Sequence, residues 1–210
     1  MENVTWNRMA AEIHKNAVAH GWWETERDIA EICALIHSEL SEALEEYRNG
    51  REMYYYFCND GDSAPCNRSQ CKHWEPLQWK CLIKKRDEKP EGIAVELADT
   101  IIRILDYAAK SGIDIEKRFD SFLWSIAEEK IKGKELPYLI AECHKCISEV
   151  YDCASIESDL LTGFIEYNFA KCISLICEWC AANSVNIVDI IYIKHEYNKT
   201  RSYKHGGKRC

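Results

Sequence analysis

Two pairs of acidic residues in this sequence have the spacing of one helical turn. The first pair is Glu39 and Glu42, and the second is Glu96 and Asp99. Residues three apart lie on the same face of an α-helix, so each pair presents its carboxylates side by side. Four carboxylates brought together by helix packing repel one another unless cations neutralise them. Because magnesium prefers oxygen ligands of this kind, the sequence predicts a magnesium site at these four residues, with manganese as an alternative.

Both acidic pairs lie in segments whose apolar residues recur with the period of an α-helix. An isolated pair of this kind usually lies on a solvated helix face. Here each pair adjoins an apolar stripe, so we expect the carboxylates beside buried faces. The apolar residues around the two pairs are Ile32, Leu35, Ile36, Leu40, Ala43 and Leu44, and Ile93, Val95, Leu97, Ala98, Ile101, Ile102 and Leu105.

Apolar periodicity, with Gly and Pro as boundaries, predicts an all-α fold. No segment alternates between apolar and polar residues with period two over a useful length, so we expect almost no sheet. The predicted helices span residues 5–20, 28–49, 92–111, 114–131, 138–154, 164–183 and 189 to about 200.

Residues 36–48 and 89–99 resemble the MazG-like nucleotide pyrophosphohydrolases of the all-α NTP pyrophosphatase superfamily. That family carries E-x-x-E, a variable gap and then E-x-x-D, and residues 194–208 resemble the basic C-terminal signature of its phage-type members. The resemblance implies a MazG-like helical bundle that hydrolyses a nucleoside triphosphate to the monophosphate and pyrophosphate with magnesium, in nucleotide-pool house-cleaning. It also implies that the four carboxylates are catalytic, with Glu39 the foremost candidate to accept the proton of the attacking water.

The basic C-terminal segment supplies candidates for substrate binding. Lys194, Asn198 and Arg201 lie at i, i+4 and i+7, along one helical face, where we expect them to meet a triphosphate; Lys204 follows in the same segment. A solvated basic tail is the alternative.

Aromatic residues before the first acidic pair are candidates for holding a nucleobase. Trp22 and Trp23 lie in the turn ahead of that helix, where relatives stack the base on aromatic or histidine side chains. His14, Asn16 and His37 are weaker candidates. A place in the hydrophobic core is the alternative for each tryptophan.

The second half of the chain resembles a degenerate copy of the first. Residues 37–42 match residues 144–149, and residues 95–107 match residues 167–179, but Cys146, Asn168 and Lys171 stand where the first half has metal ligands. We therefore expect a single domain over residues 1–210, with an active half at 1–132 and a degenerate half at 137–208 that packs against it and carries the nucleotide-binding tail. The chain is then a monomer by internal duplication, or a homodimer.

A cysteine-rich insertion at residues 51–89 separates the two acidic pairs. Cys58, Cys66, Cys71 and Cys81 are candidate ligands for a structural zinc, although their spacing lacks a C-x-x-C knuckle. A loop with free thiols is the alternative.

Composition narrows the classes of function. A net charge of −8 does not favour a nucleic-acid groove. No run of 18 apolar residues and no signal-peptide pattern is present, so we expect a cytoplasmic protein with no membrane span, whose twelve cysteines are mostly thiols. A non-catalytic protein that senses nucleotides, or a zinc-stabilised binding protein, is the alternative to the hydrolase.

Overall fold

The chain is mostly α-helical. The computed structural model describes residues 5–56, 74–75, 80–81, 89–119, 121–154 and 159–207. The helices are α1 (Trp6–Ala19), α2 (Ile29–Arg48), α3 (Ile93–Ser111), α4 (Ser121–Ile131), α5 (Leu136–Ala154), α6 (Asp159–Ala182), α7 (Ile187–Lys199) and the short α8 (Lys204–Gly207). The all-α prediction is confirmed, and the seven long helices correspond to the seven predicted segments.

Two short antiparallel pairings accompany the helices. Strand β1 (Tyr55–Tyr56) pairs with β4 (Pro90–Glu91), and β2 (Trp74–Glu75) pairs with β3 (Lys80–Cys81). The β1–β4 pairing holds the start of α3 against residues 52–53, since Ala94 N donates to Met53 O at 2.8 Å. Gly92 has φ 116°, and a Cβ there would lie 2.8 Å from Glu52 O, so only glycine fits this approach. The first turn of α3, which carries Glu96, is therefore held against the backbone of residues 52–53.

The predicted helix at residues 114–131 is interrupted. The structure has a 3-10 turn at Glu116–Arg118 and starts α4 only at Ser121. The Asp114 carboxylate accepts from Lys117 N at 3.2 Å and from the Asn7 side chain at 2.7 Å. This side-chain bonding favours a local turn over continuous helix. Periodicity alone did not reveal the break.

The helices pack in two similar groups around one hydrophobic core. In the first group α1 and α2 pack on α3, and in the second α4 and α5 pack on α6. Helix α2 packs against α5 between the groups, and α7 crosses back to pack on α3. The core is continuous across both groups, and its members include Ile36, Leu97, Ile101, Ile140, Ile147, Phe169, Ile173 and Ile176.

The contact between α2 and α5 joins equivalent residues of the two groups. His37 Nδ1 lies 2.7 Å from His144 Nδ1, and the sequence comparison of the two halves pairs these histidines. Ser41 Oγ donates to His37 O at 2.8 Å, and Ser148 Oγ donates to His144 O at 2.9 Å. A residue meeting its own counterpart is the contact expected at a two-fold axis. The arrangement supports the duplication hypothesis, which stays a prediction.

Several cysteines of the second group are buried among apolar side chains. Burial raises the pKa of the Cys146 and Cys180 thiols to about 12, so both are neutral at physiological pH. Cys143 and Cys146 on α5, and Cys177 and Cys180 on α6, have C-x-x-C spacing, and packing in or against the core as small hydrophobic residues accounts for both pairs. Of the four candidate zinc ligands, Cys58, Cys66 and Cys71 lie outside the described residues, and for Cys81 only the backbone is described.

None of the helices that the structure describes is by itself long and apolar enough to cross a membrane, although the bent pair Thr162–Ala182 and Ile187–Lys199 qualifies by length and composition when taken together.

Candidate active site

Three of the four predicted metal ligands meet where α2 packs on α3. Carboxylate oxygens of Glu39, Glu96 and Asp99 lie within 4.8 Å of one another, and no other group of three or more potential ligand side chains this close occurs in the described ranges. Glu39 and Glu96 are buried and Asp99 is half-buried. Glu42 lies apart from the cluster, exposed at the edge of the same cavity, where Ser38 Oγ donates to it at 3.3 Å.

Burial and crowding perturb the cluster. Burial raises the pKa of Glu96, the neighbouring Asp99 carboxylate adds to this effect, and together they bring the pKa to about 8. Burial also raises the pKa of Glu39, against the opposing effect of Arg103. The spacing of the acidic pairs in the sequence predicted that these carboxylates repel one another. A cation bound between the carboxylates would relieve this repulsion.

Arg103 is a member of the site that the sequence analysis missed. Its Nε and Nη2 atoms lie 2.9 and 2.7 Å from Glu39 Oε1, so both donate to one carboxylate oxygen. Arg103 lies one turn beyond Asp99 on α3, at i+4 on the same face, and Asp106 follows at i+7. This spacing was the signal by which the sequence could have identified Arg103, because Arg103 and Asp106 continue the helix face on which Asp99 lies.

Lys194 reaches the cluster from the second group of helices. Its Nζ lies 2.7 Å from Asp99 Oδ2, and its side chain is only 2% exposed. Burial lowers the pKa of Lys194, but the Asp99 and Glu96 carboxylates outweigh this effect and raise it overall. A buried ammonium needs such a counter-charge. The packing of α7 on α3 thus brings the predicted basic segment to the predicted acidic one.

A cavity of about 300 Å³ contains the cluster. Its wall is formed by side chains of α1, α2, α3 and α7, with contributions from the turn after α1 and the start of β4. Five cations line it together with the four predicted carboxylates: Arg27, Lys89, Arg103, Lys194 and Arg201. Of the predicted substrate-binding residues, Lys194, Asn198, Arg201 and Trp22 lie on its wall.

Trp23 and Lys204 are engaged elsewhere and are not among the described residues that line the cavity. Trp23 Nε1 donates to both oxygens of Asp106, at 3.0 and 3.1 Å, and its ring packs against the core. Lys204 Nζ lies 2.9 Å from the carboxylate of Glu24. The Glu24 carboxylate thus draws Lys204 away from the cavity, and the hydrogen bonds to Asp106 hold Trp23 in place.

The weaker base-binding candidates divide in the same way. Asn16 lines the cavity, whereas His37 lies in the α2–α5 contact. His14 Nδ1 lies 2.7 Å from Asp106 Oδ1, which also accepts from Trp23. Asp106 itself lines the cavity.

The C-terminal segment closes over the turn that follows α1. His20 Nε2 lies 3.1 Å from Arg201 O, and Lys204 N donates to His20 O at 3.1 Å. Gly21 has φ 79°, and a Cβ there would lie 2.4 Å from the ring of Tyr203. Glycine is therefore required at this close approach. The closure places Arg201 on the cavity wall.

The equivalent position in the second group of helices has different chemistry. Asn168 and Lys171 replace the carboxylates of α3, and Glu166 is paired with Arg118, whose Nε and Nη2 lie 2.8 and 2.7 Å from Glu166 Oε2. This internal ion pair neutralises the buried carboxylate without an external cation.

Comparisons with protein-family models, with curated protein sequences and with solved structures found no match.

Proposed function

We propose that this chain is a magnesium-dependent nucleoside triphosphate pyrophosphohydrolase of the MazG-like group. The observation that carries the proposal is the close cluster of Glu39, Glu96 and Asp99 oxygens in a cavity that also contains five cationic side chains. Paired carboxylates next to cations suit a metal-bound polyphosphate, which presents both a cation and negative oxygens. The proposed product is a nucleoside monophosphate, with pyrophosphate as the leaving group.

The carboxylate cluster fits magnesium by its chemistry. All three close ligands offer oxygen atoms, and Glu42, which lies apart from them on the wall of the same cavity, is available to bind a coordinated water. When bound, magnesium polarises the phosphoryl group under attack and stabilises the charge of the leaving pyrophosphate. Manganese has similar ligand preferences and is the alternative ion.

The cations of the cavity bind the phosphates. Lys194 lies on α7, Arg201 lies two residues beyond the C-terminal end of that helix, and Arg103 on α3 lines the same cavity. Their separation along the wall allows them to contact different phosphoryl groups of one chain. Arg103 donates twice to one oxygen of Glu39, which fixes the orientation of this carboxylate. A fixed carboxylate is suited to accept the proton of the attacking water, the role we propose for Glu39.

A pyrophosphate-release assay tests the proposal. The full-length protein is incubated with each ribo- and deoxyribonucleoside triphosphate, with magnesium and then with chelator. We expect pyrophosphate and monophosphate in equal amounts for at least one substrate, and no release with chelator. Release of inorganic phosphate instead would contradict the proposal. Nucleotide binding without hydrolysis would favour the non-catalytic alternative, in which the same cavity senses the nucleotide.

A further inference from the structure

The cavity contains polar atoms that the carboxylate and phosphate chemistry does not use. His195 Nε2 and Asn198 Oδ1 are both buried, and neither has a hydrogen-bond partner within the described part of the chain. Both residues line the cavity, and the His195 side chain is only 4% exposed. Leaving a buried polar atom unpaired is costly, so such atoms in a cavity wall point to a bound group.

The part of the cavity wall formed by α1 differs in chemistry from the metal cluster. His195 and Asn198 are three residues apart on α7 and therefore lie on one face of it. Helix α7 also packs on α1, whose Ile13, Asn16 and Ala17 line the same cavity. This part of the wall is apolar or neutral, in contrast to the carboxylates and cations at α2 and α3. The neutral part suits the uncharged portion of a ligand.

The chemistry of the two side chains restricts what they bind. The Asn198 oxygen only accepts hydrogen bonds, and the His195 nitrogen donates or accepts according to its tautomer. Burial lowers the pKa of His195, and the nearby Lys199 lowers it further, which favours the neutral imidazole. One hydroxyl group satisfies both atoms when His195 Nε2 carries the proton, since it then accepts from His195 and donates to Asn198; in the other tautomer two neighbouring hydroxyls, one donating to each atom, satisfy the pair.

We infer that His195 and Asn198 bind the sugar hydroxyls of the nucleotide and determine how the protein discriminates between sugars. The inference rests on the proposed function, and it gives Asn198 a role different from the triphosphate contact that the sequence predicted. Lys194, on the same helix, and Arg201, two residues beyond its end, then bind the phosphates. Helix α7 and the residues that follow it thus contact two parts of the substrate.

Equilibrium binding of a series of monophosphates tests the inference. For the base that the wild type binds best, Kd is measured for the ribo-, 2′-deoxy- and 2′,3′-dideoxynucleoside monophosphates with magnesium, and for pyrophosphate as a sugar-free probe. The variants are His195→Phe and Asn198→Leu, which remove hydrogen bonding at similar volume. Asn168→Leu is the matched control, because Asn168 Oδ1 is also buried and unpartnered but does not line the cavity.

We expect the wild type to lose affinity about 10-fold when the contacted hydroxyl is removed, because the two side chains are then left unpaired. Each variant is expected to bind the hydroxylated nucleotide about as weakly as the wild type binds the dideoxy form, with no further loss on sugar truncation. Pyrophosphate affinity stays unchanged, and the Asn168→Leu protein behaves as the wild type.

Two results would overturn the inference while leaving the proposed function intact. One is sugar discrimination in the variants equal to that of the wild type. The other is an equal loss of pyrophosphate affinity, which would assign these residues to phosphate binding or packing. A wild-type protein that binds no nucleotide would overturn both the inference and the proposed function.

Discussion

At the scale of single residues, Glu96 is deeply buried, and its carboxyl has the largest pKa shift in the cluster. Burial and Asp99 raise the pKa of its carboxyl to about 8, so this group is largely protonated at neutral pH without a cation. Glu96→Gln replaces it with a neutral group of the same shape. We therefore expect the unfolding free energy in magnesium-free buffer at pH 7 to change by less than about 1 kcal/mol.

The same Glu96→Gln variant is expected to lose at least about 100-fold in pyrophosphate release, since it lacks one of the proposed metal ligands. Urea unfolding measures the stability, and the release assay measures the activity. Glu45→Gln is the matched control, since Glu45 is an exposed glutamate on α2 that is paired with Arg48. A Glu96→Gln protein with near wild-type turnover would remove Glu96 from the site.

We expect Lys194 to compete with the proposed metal ion for Asp99, because its ammonium already lies 2.7 Å from an Asp99 oxygen. Lys194→Met leaves that carboxylate without its cation, so we expect a loss of about 3 kcal/mol in magnesium-free buffer. Magnesium is expected to bind the variant more tightly than the wild type and to restore more of its thermal stability. Calorimetric titration with the ion measures this, with Lys199→Met, an exposed change on α7, as control. Weaker magnesium binding by Lys194→Met would contradict the competition.

Some of these residues were visible in the sequence and others were not. The four carboxylates and Lys194 could be predicted because their spacing along a helix is a local property. The pairing of Arg103 with Glu39 depends on how α2 packs against α3, and no local pattern specifies that contact. The inward position of His195 likewise depends on α7 crossing to α1. Trp23 illustrates the opposite error. Its position in the sequence suggested a contact with the nucleobase, but its indole nitrogen donates to Asp106 instead.

At the scale of helices, the α2–α5 contact is expected to be sensitive to acid. Burial lowers the pKa of His37, and burial together with the charge of His37 lowers that of His144. Their unfolded pKa is near 6.5, so below that pH the unfolded chain binds more protons than the folded chain. The contribution of this histidine pair to the free energy of unfolding is therefore fully present above about pH 6.5, and it decreases as the pH falls below that value.

A double variant, His37→Gln with His144→Gln, removes this titration. We expect the urea midpoint of the wild type to fall more between pH 7 and pH 5 than that of the double variant. Both midpoints are measured at the same ionic strength, so that other groups contribute equally. Equal falls in the two proteins would show that the histidine pair does not couple proton binding to folding.

The helix boundaries show which parts of an element are predictable. The N-termini of α1 and α2 were located to within one residue, because Thr5 and Asp28 cap them with side-chain acceptors. Helix α6 begins at Asp159, five residues before its predicted start, and α8 was not predicted. A four-residue helix has too few residues to show periodicity, and α8 follows a segment held by contacts with His20 and Gly21.

At the scale of the whole molecule, we expect one nucleotide site per chain. The first group of helices has the carboxylate cluster, whereas the sequence comparison of the two halves matches Asn168 and Lys171 to Glu96 and Asp99, and the buried Glu166 of the second group is paired with Arg118. Calorimetric titration of the full chain with a nucleoside monophosphate and magnesium is expected to give a stoichiometry near one. Two equivalent sites would show that the second group binds as well.

A fragment that ends near residue 133 is expected to be insoluble or inactive. It lacks α7, so Asp99 has no Lys194, and the α2 and α3 faces that pack against α5 and α7 are uncovered. Expression of residues 1–133 followed by light scattering and the release assay checks this. A soluble fragment with wild-type turnover would show that the second group is dispensable.

Lys194 and Asp99 belong to one polypeptide, and this determines how the site responds when the protein is diluted. In a site built from two separate subunits, occupancy of the assembled state falls as the protein is diluted toward its dissociation constant. Here the helix that completes the cavity is tethered to the helices that begin it, so its local concentration is set by the length of the chain. For the proposed hydrolase, we therefore expect a specific activity per milligram that is independent of protein concentration down to the lowest amounts that an assay detects.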